Sequence, residues 1–385
     1  MPQRLLRWCA LFLSACLALV ACGAQAPAAG PGEIRIGLIA TLSGDLAESF
    51  GDETVDSVRL AIQPLNDAGG LEVAGRKYQV TLVIEDDQDK AELAASAAQK
   101  LINQDQVVAL IGSSISRNAI PAADVAERSR VPMISPNSTN PATTAGKQYA
   151  FRVAFLDPFQ GRVMARFALE DLGAQRAAVL YDVASAYNRD IAEVFRQVFS
   201  EGGGEVVAFE TYTTGESDYR PQLARIRASG ATVLFLPNYD NELPAQVEQA
   251  REVGIDATLL GSDAWSTLSP DVRAALEGSF FTTGWSRNLA NAQSQAFVKA
   301  FRETYGREPN DISATAYDSV GLLLHAIQTQ GKFDAESIRA GLAATSGYAG
   351  VTGTISYQGS GDPIKSAVIN RIEGGEVVLH KQIDP

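Results

Sequence analysis

The sequence predicts an α/β fold built on two mainly parallel sheets, each covered by helices. Three observations point there. Val107 to Pro141 reads as strand, helix, strand, with apolar runs at Val107–Ile111 and Met133–Ser135 around an amphipathic segment from Ser116. Residues 177–261 then repeat the alternation of short apolar runs with helical patterns, the rhythm of parallel sheets covered on both faces. A chain of 385 residues with 46% hydrophobic and 20% charged residues has material for two such cores.

In chain order, the first 22 residues are a targeting segment. Arg4 and Arg7 form a basic start, and Trp8 to Val20 is an apolar run too short for a comfortable membrane span. Leu19, Val20, Ala21 and Cys22 follow and resemble the lipobox of bacterial lipoproteins, which implies a signal peptide over 1–22 and a lipidated Cys22 as the mature first residue. Cys9 and Cys16 leave with the signal, so the mature domain carries no disulfide. Residues 23–32, rich in Ala, Pro and Gly, read as a tether.

Ile34 to Ala40 is the first strand and runs into the loop Thr41 to Gly51. Asp52 to Ala68 carries Val55, Val58, Ile62 and Leu65 on one helical stripe closed by Gly69-Gly70, and Pro64 should kink or shorten it. Tyr78 to Glu85 is a strand. Glu85, Asp86, Asp87 and Asp89 then suggest either a cation site or, better, charges suited to the start of the helix that ends at Asn103. Tyr149–Val153 is a strand and Pro158–Leu172 a helix. Strands are expected at 177–181, 205–212, 232–236 and 258–261, with helices at 187–201, 219–229 and 242–253. Phe280–Thr283 is a strand leading back toward the first sheet, helices follow at 292–305, 312–329 and 335–344, and Gly353–Tyr357 is a strand. The chain ends in a hairpin of 366–373 and 377–381 around Gly374-Gly375.

The strand ends carry the chemistry. Ser113, Ser114 and Ser116 lie at a strand-to-helix turn, and Pro136, Asn137, Ser138 and Thr139 end the next strand. A helix start offers unpaired N–H groups, so hydroxyls placed there make a pocket for a carboxylate or other small anion, although single turns of this kind also serve as caps. In open α/β sheets ligands bind at such strand ends.

IGSSIS, followed by VPMISPNSTNP, resembles the first-lobe binding signature of the leucine/isoleucine/valine-binding proteins, the type I periplasmic solute-binding proteins of ABC importers. TLSGDLAESFG with Phe50-Gly51, REPNDISATAYDSVGLL (307–323) and VTGTISYQGSGD (351–362) extend the resemblance over nearly all of residues 33–381. It implies a first lobe of 33–156 plus 285–364 and a second of 157–284 plus 365–385, crossing near Asp157, Gly284 and Lys365 in a three-strand hinge. By the same resemblance the ligand is a small amino acid, branched-chain or otherwise hydrophobic, with ABC permease and ATPase subunits as partners. The ligand site would use Ser116, Ser138 and Thr139 for the carboxylate and Asp263, from GSDAW, for the ammonium. Tyr187 would be the second-lobe pocket tyrosine, with Phe50 and Trp265 against the side chain. Tyr239 is better read as core or simply exposed. Two departures stand out. Relatives commonly have a disulfide beside the pocket, and Arg117 follows Ser116 where a small residue is usual, leaving a cation able to pair with a second acidic group of a ligand.

Other functions fit less well. The net charge is −13, and beyond residue 22 there are 30 Lys and Arg against 45 Asp and Glu, the reverse of a nucleic-acid binder. His325 and His380 are the only histidines, GSSIS lacks the second glycine of a nucleophile elbow, and no phosphate loop or zinc motif occurs. No enzyme activity, cofactor or metal is expected. A lipid-anchored, extracytoplasmic monomer is expected, with a ligand-sensing or envelope-scaffold lipoprotein of the same fold, or a binder of amides or aromatic acids, as the alternatives.

Overall fold

The computed structural model describes residues 32–384; the signal segment, Cys22 and most of the tether lie outside them. A six-stranded sheet runs in the order Leu71–Val73, Arg76–Asp86, Glu33–Ala40, Ala109–Ile111, Met133–Ser135, Ala150–Arg152. All neighbours are parallel except the edge pair Leu71–Val73 and Arg76–Asp86, a hairpin the sequence pattern did not reveal. The first strand is buried from Ile34 to Ala40, as a sheet covered on both faces requires. Gly37 lets the helix Ala91–Asn103 approach the first strand closely. A Cβ there would stand 2.8 Å from Leu110 and 3.0 Å from Leu101.

The second sheet has seven strands, in the order Glu376–Ile383, Ala367–Glu373, Phe280–Thr283, Thr258–Gly261, Val233–Leu236, Arg176–Asp182, Glu205–Tyr212. Its centre is parallel and its edge is the antiparallel terminal hairpin, turned by Gly374 and Gly375 at φ 60° and 75°, values only glycine adopts freely. Phe280–Thr283 is a member of this sheet, and the chain leaves it at Gly284 for the helices Ala292–Tyr305 and Asp311–Gln330, which pack on Glu53–Asp67 beside the first sheet.

The crossings converge. A Cβ on Gly284 would sit 3.5 Å from Asp311 Oδ1, 3.5 Å from Lys365 Cε and 3.7 Å from Phe155, while Asp157 is wholly buried at the start of the helix Asp157–Arg166.

Three local expectations change. Pro64 lies in the last turn of Glu53–Asp67, so the helix continues only three residues past it without a break at the proline, and a π-helical turn, Ala47–Asp52, precedes that helix. The helix predicted at 158–172 likewise ends in a π-turn, Phe167–Asp171. The acids at 85–89 do not cap Ala91–Asn103, whose N-cap is Lys90. Asp86 accepts from the Leu42 amide (2.8 Å) and Ser43 Oγ (2.7 Å), Asp87 from Thr41 Oγ1 (2.7 Å) and Ser113 Oγ, and Asp89 from Arg117 and Asn118. These carboxylates therefore tie together the loops that follow three neighbouring strands. Among the described residues no cluster of His, Cys, Asp or Glu has the arrangement of a metal site.

Candidate functional site

Loops from both sheets meet around one small enclosed space. From the six-stranded sheet come Phe50, after the first strand; Ser114 and Ser116, after Ala109–Ile111; and Asn137 and Thr139, after Met133–Ser135. From the seven-stranded sheet come Tyr187, after Arg176–Asp182; Tyr239, after Val233–Leu236; and Asp263 and Ala264, after Thr258–Gly261. The cavity between them is about 10 Å³, room for one water. The cleft is thus described in a closed state, with side chains from both sheets in contact across it.

On the first side hydroxyls are ordered by their neighbours. Ser116 begins the helix Ser116–Ser129, is 2% exposed, and its Oγ accepts from Ser138 Oγ at 3.1 Å and from the Asn140 amide at 3.4 Å. Ser138, expected to meet the ligand carboxylate, does not line the cavity: it shares a second hydrogen bond with Thr143 Oγ1 (2.6 Å) and stands behind Ser116, supporting it. Thr139 Oγ1 and Asn137 Oδ1 line it, are buried, and make no hydrogen bond of ordinary length within the protein. An orphaned hydroxyl in such a place costs about 1–3 kcal/mol unless a ligand or water completes it.

The strut behind this loop went unseen in the sequence. Arg152, wholly buried at the end of Ala150–Arg152, donates to Ser138 O (2.6 Å), Asn140 O (2.8 Å), Thr144 Oγ1 (2.7 Å) and Asp362 Oδ1 (2.7 Å). A charged residue in a buried strand was the available signal, because a buried guanidinium must find carbonyl and carboxylate partners.

On the second side Asp263, 7% exposed, accepts from Tyr187 Oη at 2.5 Å, and its own amide donates to Gln160 Oε1 at 3.3 Å. Burial pushes the Asp263 carboxyl up to about 6, with the Tyr187 hydrogen bond opposing the rise. Burial also raises Asp157, to about 8, with Asp263 adding to the shift and Arg152 opposing it. Tyr187 is itself fixed by Ser262 Oγ (2.8 Å) and stacks on Tyr239 with centroids 4.9 Å apart, and Phe50 meets Tyr239 edge-on at 6.0 Å.

Three expectations are corrected here. Trp265 does not reach the cleft. It is wholly buried, donates Nε1–H to Leu236 O at 3.1 Å and packs against Gly261, where a Cβ would stand 2.1 Å from the indole. The glycine at 261 leaves the space that the indole fills, so this aromatic serves the second sheet's core. Tyr239, read as core or exposed, lines the cavity. Arg117 is not a free cation: Nε donates to Asp89 Oδ1 at 2.8 Å, Nη2 donates to Asp89 Oδ2, and its guanidinium lies 5.2 Å from the Tyr239 ring centre.

Comparison with known proteins gives this geometry its setting. A family model described as periplasmic binding protein matches residues 33–376. A leucine-, isoleucine-, valine-, threonine- and alanine-binding protein of Pseudomonas aeruginosa is 28% identical over 333 residues, 86% of this chain and 87% of its own. The branched-chain amino acid transporter substrate-binding protein LivJ of Streptococcus pneumoniae, solved with isoleucine, superposes with a TM-score of 0.85 at 31% identity, covering 92% of this chain and all of its own. The leucine-binding protein LivK of Thermotoga maritima gives a TM-score of 0.84 at 31% identity over 91% of this chain and 99% of its own.

Proposed function

The chain belongs to the periplasmic binding protein family, and from that membership we propose that it is an extracytoplasmic solute-binding protein. It captures a branched-chain or other hydrophobic amino acid between its lobes and delivers it to the permease and ATPase of an ABC importer. The observation that carries this reading is the polarity across the cleft. The unpaired hydroxyl of Thr139, with Ser116 at a helix start, faces the buried carboxylate of Asp263 across the cleft. A zwitterion answers both sides at once. Its carboxylate takes the hydroxyls and helix-end amides, its ammonium takes Asp263, and Phe50, Tyr187 and Tyr239 enclose its side chain.

The lobes would comprise 33–156 plus 285–364 and 157–284 plus 365–385, rotating about the crossings at Asp157, Gly284 and Lys365. A space of about 10 Å³ cannot admit an amino acid, so the ligand enters an open form and closure follows. An acylated Cys22 would hold the protein at the membrane surface, and 23–32 would give it reach.

Calorimetry over amino acids, amides and aromatic acids tests the reading. Binding of an aliphatic amino acid, with a contraction seen by small-angle scattering at saturation, is expected. Binding of carboxylic acids lacking an amine, with none of amino acids, would overturn it. Mass spectrometry of the native N-terminus tests the anchor: diacylated or triacylated Cys22 is expected, and cleavage elsewhere rejects it.

A further inference from the structure

Arg117 directly follows Ser116 at the edge of the cleft, and its contacts point to a purpose. Asp89 holds its guanidinium through both Nε and Nη2, and Asn118 adds a hydrogen bond to the same carboxylate at 3.1 Å. So fixed, the guanidinium lies over the Tyr239 ring at 5.2 Å. Arg117 follows a strand of the six-stranded sheet and Tyr239 a strand of the seven-stranded one, so the contact exists only when the cleft is shut. Tyr239 is 6% exposed and is held on its remaining sides by ring contacts with Tyr187 and Phe50. Tyr187 is anchored in turn by Asp263 and Ser262. The three rings line one side of a cavity of about 10 Å³ whose other walls include Ser116, Thr139 and Asp263.

We propose that Arg117 is a positioning residue for ligand size: braced by Asp89, it pins Tyr239 across the closing cleft, so the site takes short aliphatic side chains ahead of long or aromatic ones. The proposal rests on the reading of the cleft as an amino-acid site. A branched side chain needs several times the room of one water, and the pinned ring is the wall that must retreat to provide it. Discrimination by one methylene in an apolar pocket is worth about 10- to 200-fold, so a wall displaced by one carbon's width is measurable.

The test is calorimetry on the full chain in detergent with glycine, alanine, valine, leucine and phenylalanine. The wild type is expected to bind alanine or valine more tightly than leucine. Arg117→Ala should narrow that gap by roughly tenfold and Tyr239→Ala by more, while the double variant should go no further than Tyr239→Ala alone. Asp89→Asn should narrow it in the same direction, and it carries the test if Arg117→Ala does not fold. A merely structural role would weaken all ligands by one factor and leave the ranking intact, and that result overturns the proposal. So does a wild type that ranks leucine or phenylalanine first. A wild type that binds no amino acid overturns the amino-acid reading as well, so the two failures are told apart.

Discussion

The Tyr187 hydroxyl donates to Asp263 Oδ1 at 2.5 Å inside a cleft where Asp263 is 7% exposed. The bond favours the ionised carboxylate against the pull of burial, which together leave Asp263 with a pKa of about 6. If that carboxylate neutralises a ligand ammonium, Asp263→Asn leaves the cation unpaired in a closed site. The loss is about 2–5 kcal/mol, roughly 30-fold to several-thousand-fold in affinity. Affinity of the wild type should be level above about pH 6 and fall by up to tenfold per unit below it, because binding must then displace a proton. Tyr187→Phe removes the donor that lowers this pKa, so its acid limb should move to higher pH. Calorimetry from acid to neutral pH measures all three, and an Asp263→Asn variant with wild-type affinity rejects the ammonium role.

Thr139 allows binding and folding to be separated. Its hydroxyl is buried, faces the cavity and lacks an ordinary hydrogen bond in the protein. Thr139→Val removes only that oxygen in a side chain of the same shape, so the melting temperature of the ligand-free protein should hold or rise. Ligand affinity should nevertheless fall by about 1–3 kcal/mol. Ser116→Ala differs because Ser116 Oγ accepts from Ser138 and Asn140, and it should lower both stability and affinity. A Thr139→Val variant that is less stable but binds normally would assign the hydroxyl to the fold.

Much of this was legible in sequence because periodicity reports burial. The strands Met133–Ser135, Glu205–Tyr212, Thr258–Gly261 and Phe280–Thr283 and the helix Ala292–Tyr305 stand where the apolar patterns put them. The loops that carry Ser116, Thr139, Tyr187 and Asp263 converge as strand ends of two parallel sheets must. What stayed hidden depended on side-chain direction and long-range partners. Trp265 and Asp263 lie two residues apart on one turn, yet Asp263 faces the cleft and Trp265 fills the space left by Gly261. Arg152 reaches Asp362 and Arg117 reaches Asp89 across 210 and 28 positions of chain, separations that no local pattern encodes. The edge strand Leu71–Val73 is three residues long, too short for alternation to register.

Trp265 can be tested as a core residue. Trp265→Phe loses the Nε1–H donated to Leu236 O and part of the ring packed on Gly261 and Phe281, with ring centres of Trp265 and Phe281 6.2 Å apart. Leu236 O keeps the Asn238 amide at 2.9 Å, so losing the indole bond should cost about 0.5–1.5 kcal/mol, with a further loss from the void, and Trp265→Ala should cost about 3–5 kcal/mol. Denaturant melts give these values. At temperatures where Trp265→Phe is folded, its ligand affinity should stay within about twofold of wild type, since the indole does not line the cavity. A selective loss of affinity with normal stability would return Trp265 to the binding site.

Asp157 is wholly buried where the chain crosses between the sheets, hydrogen-bonded to Gln160 at 3.1 Å, with a pKa raised to about 8 chiefly by burial. Its pKa in the unfolded chain is near the ordinary value of about 3.9. Between those two values the folded protein keeps a proton that the unfolded chain has released, so the native state binds more protons and stability falls as pH rises. Below about pH 4 the acid is neutral in both states and contributes nothing to the slope; above about pH 8 it is ionised in both, and the full cost of a buried charge is present. Asp157→Asn keeps the shape and abolishes the titration. Its melting temperature relative to wild type should therefore climb steadily from about pH 4 to about pH 8 and then level off, whatever constant difference the amide itself introduces. Paired thermal melts across that range read the slope directly. A difference that stays flat would mean that Asp157 is ionised throughout, held so by Arg152 and the Gln160 amide, which both oppose its shift.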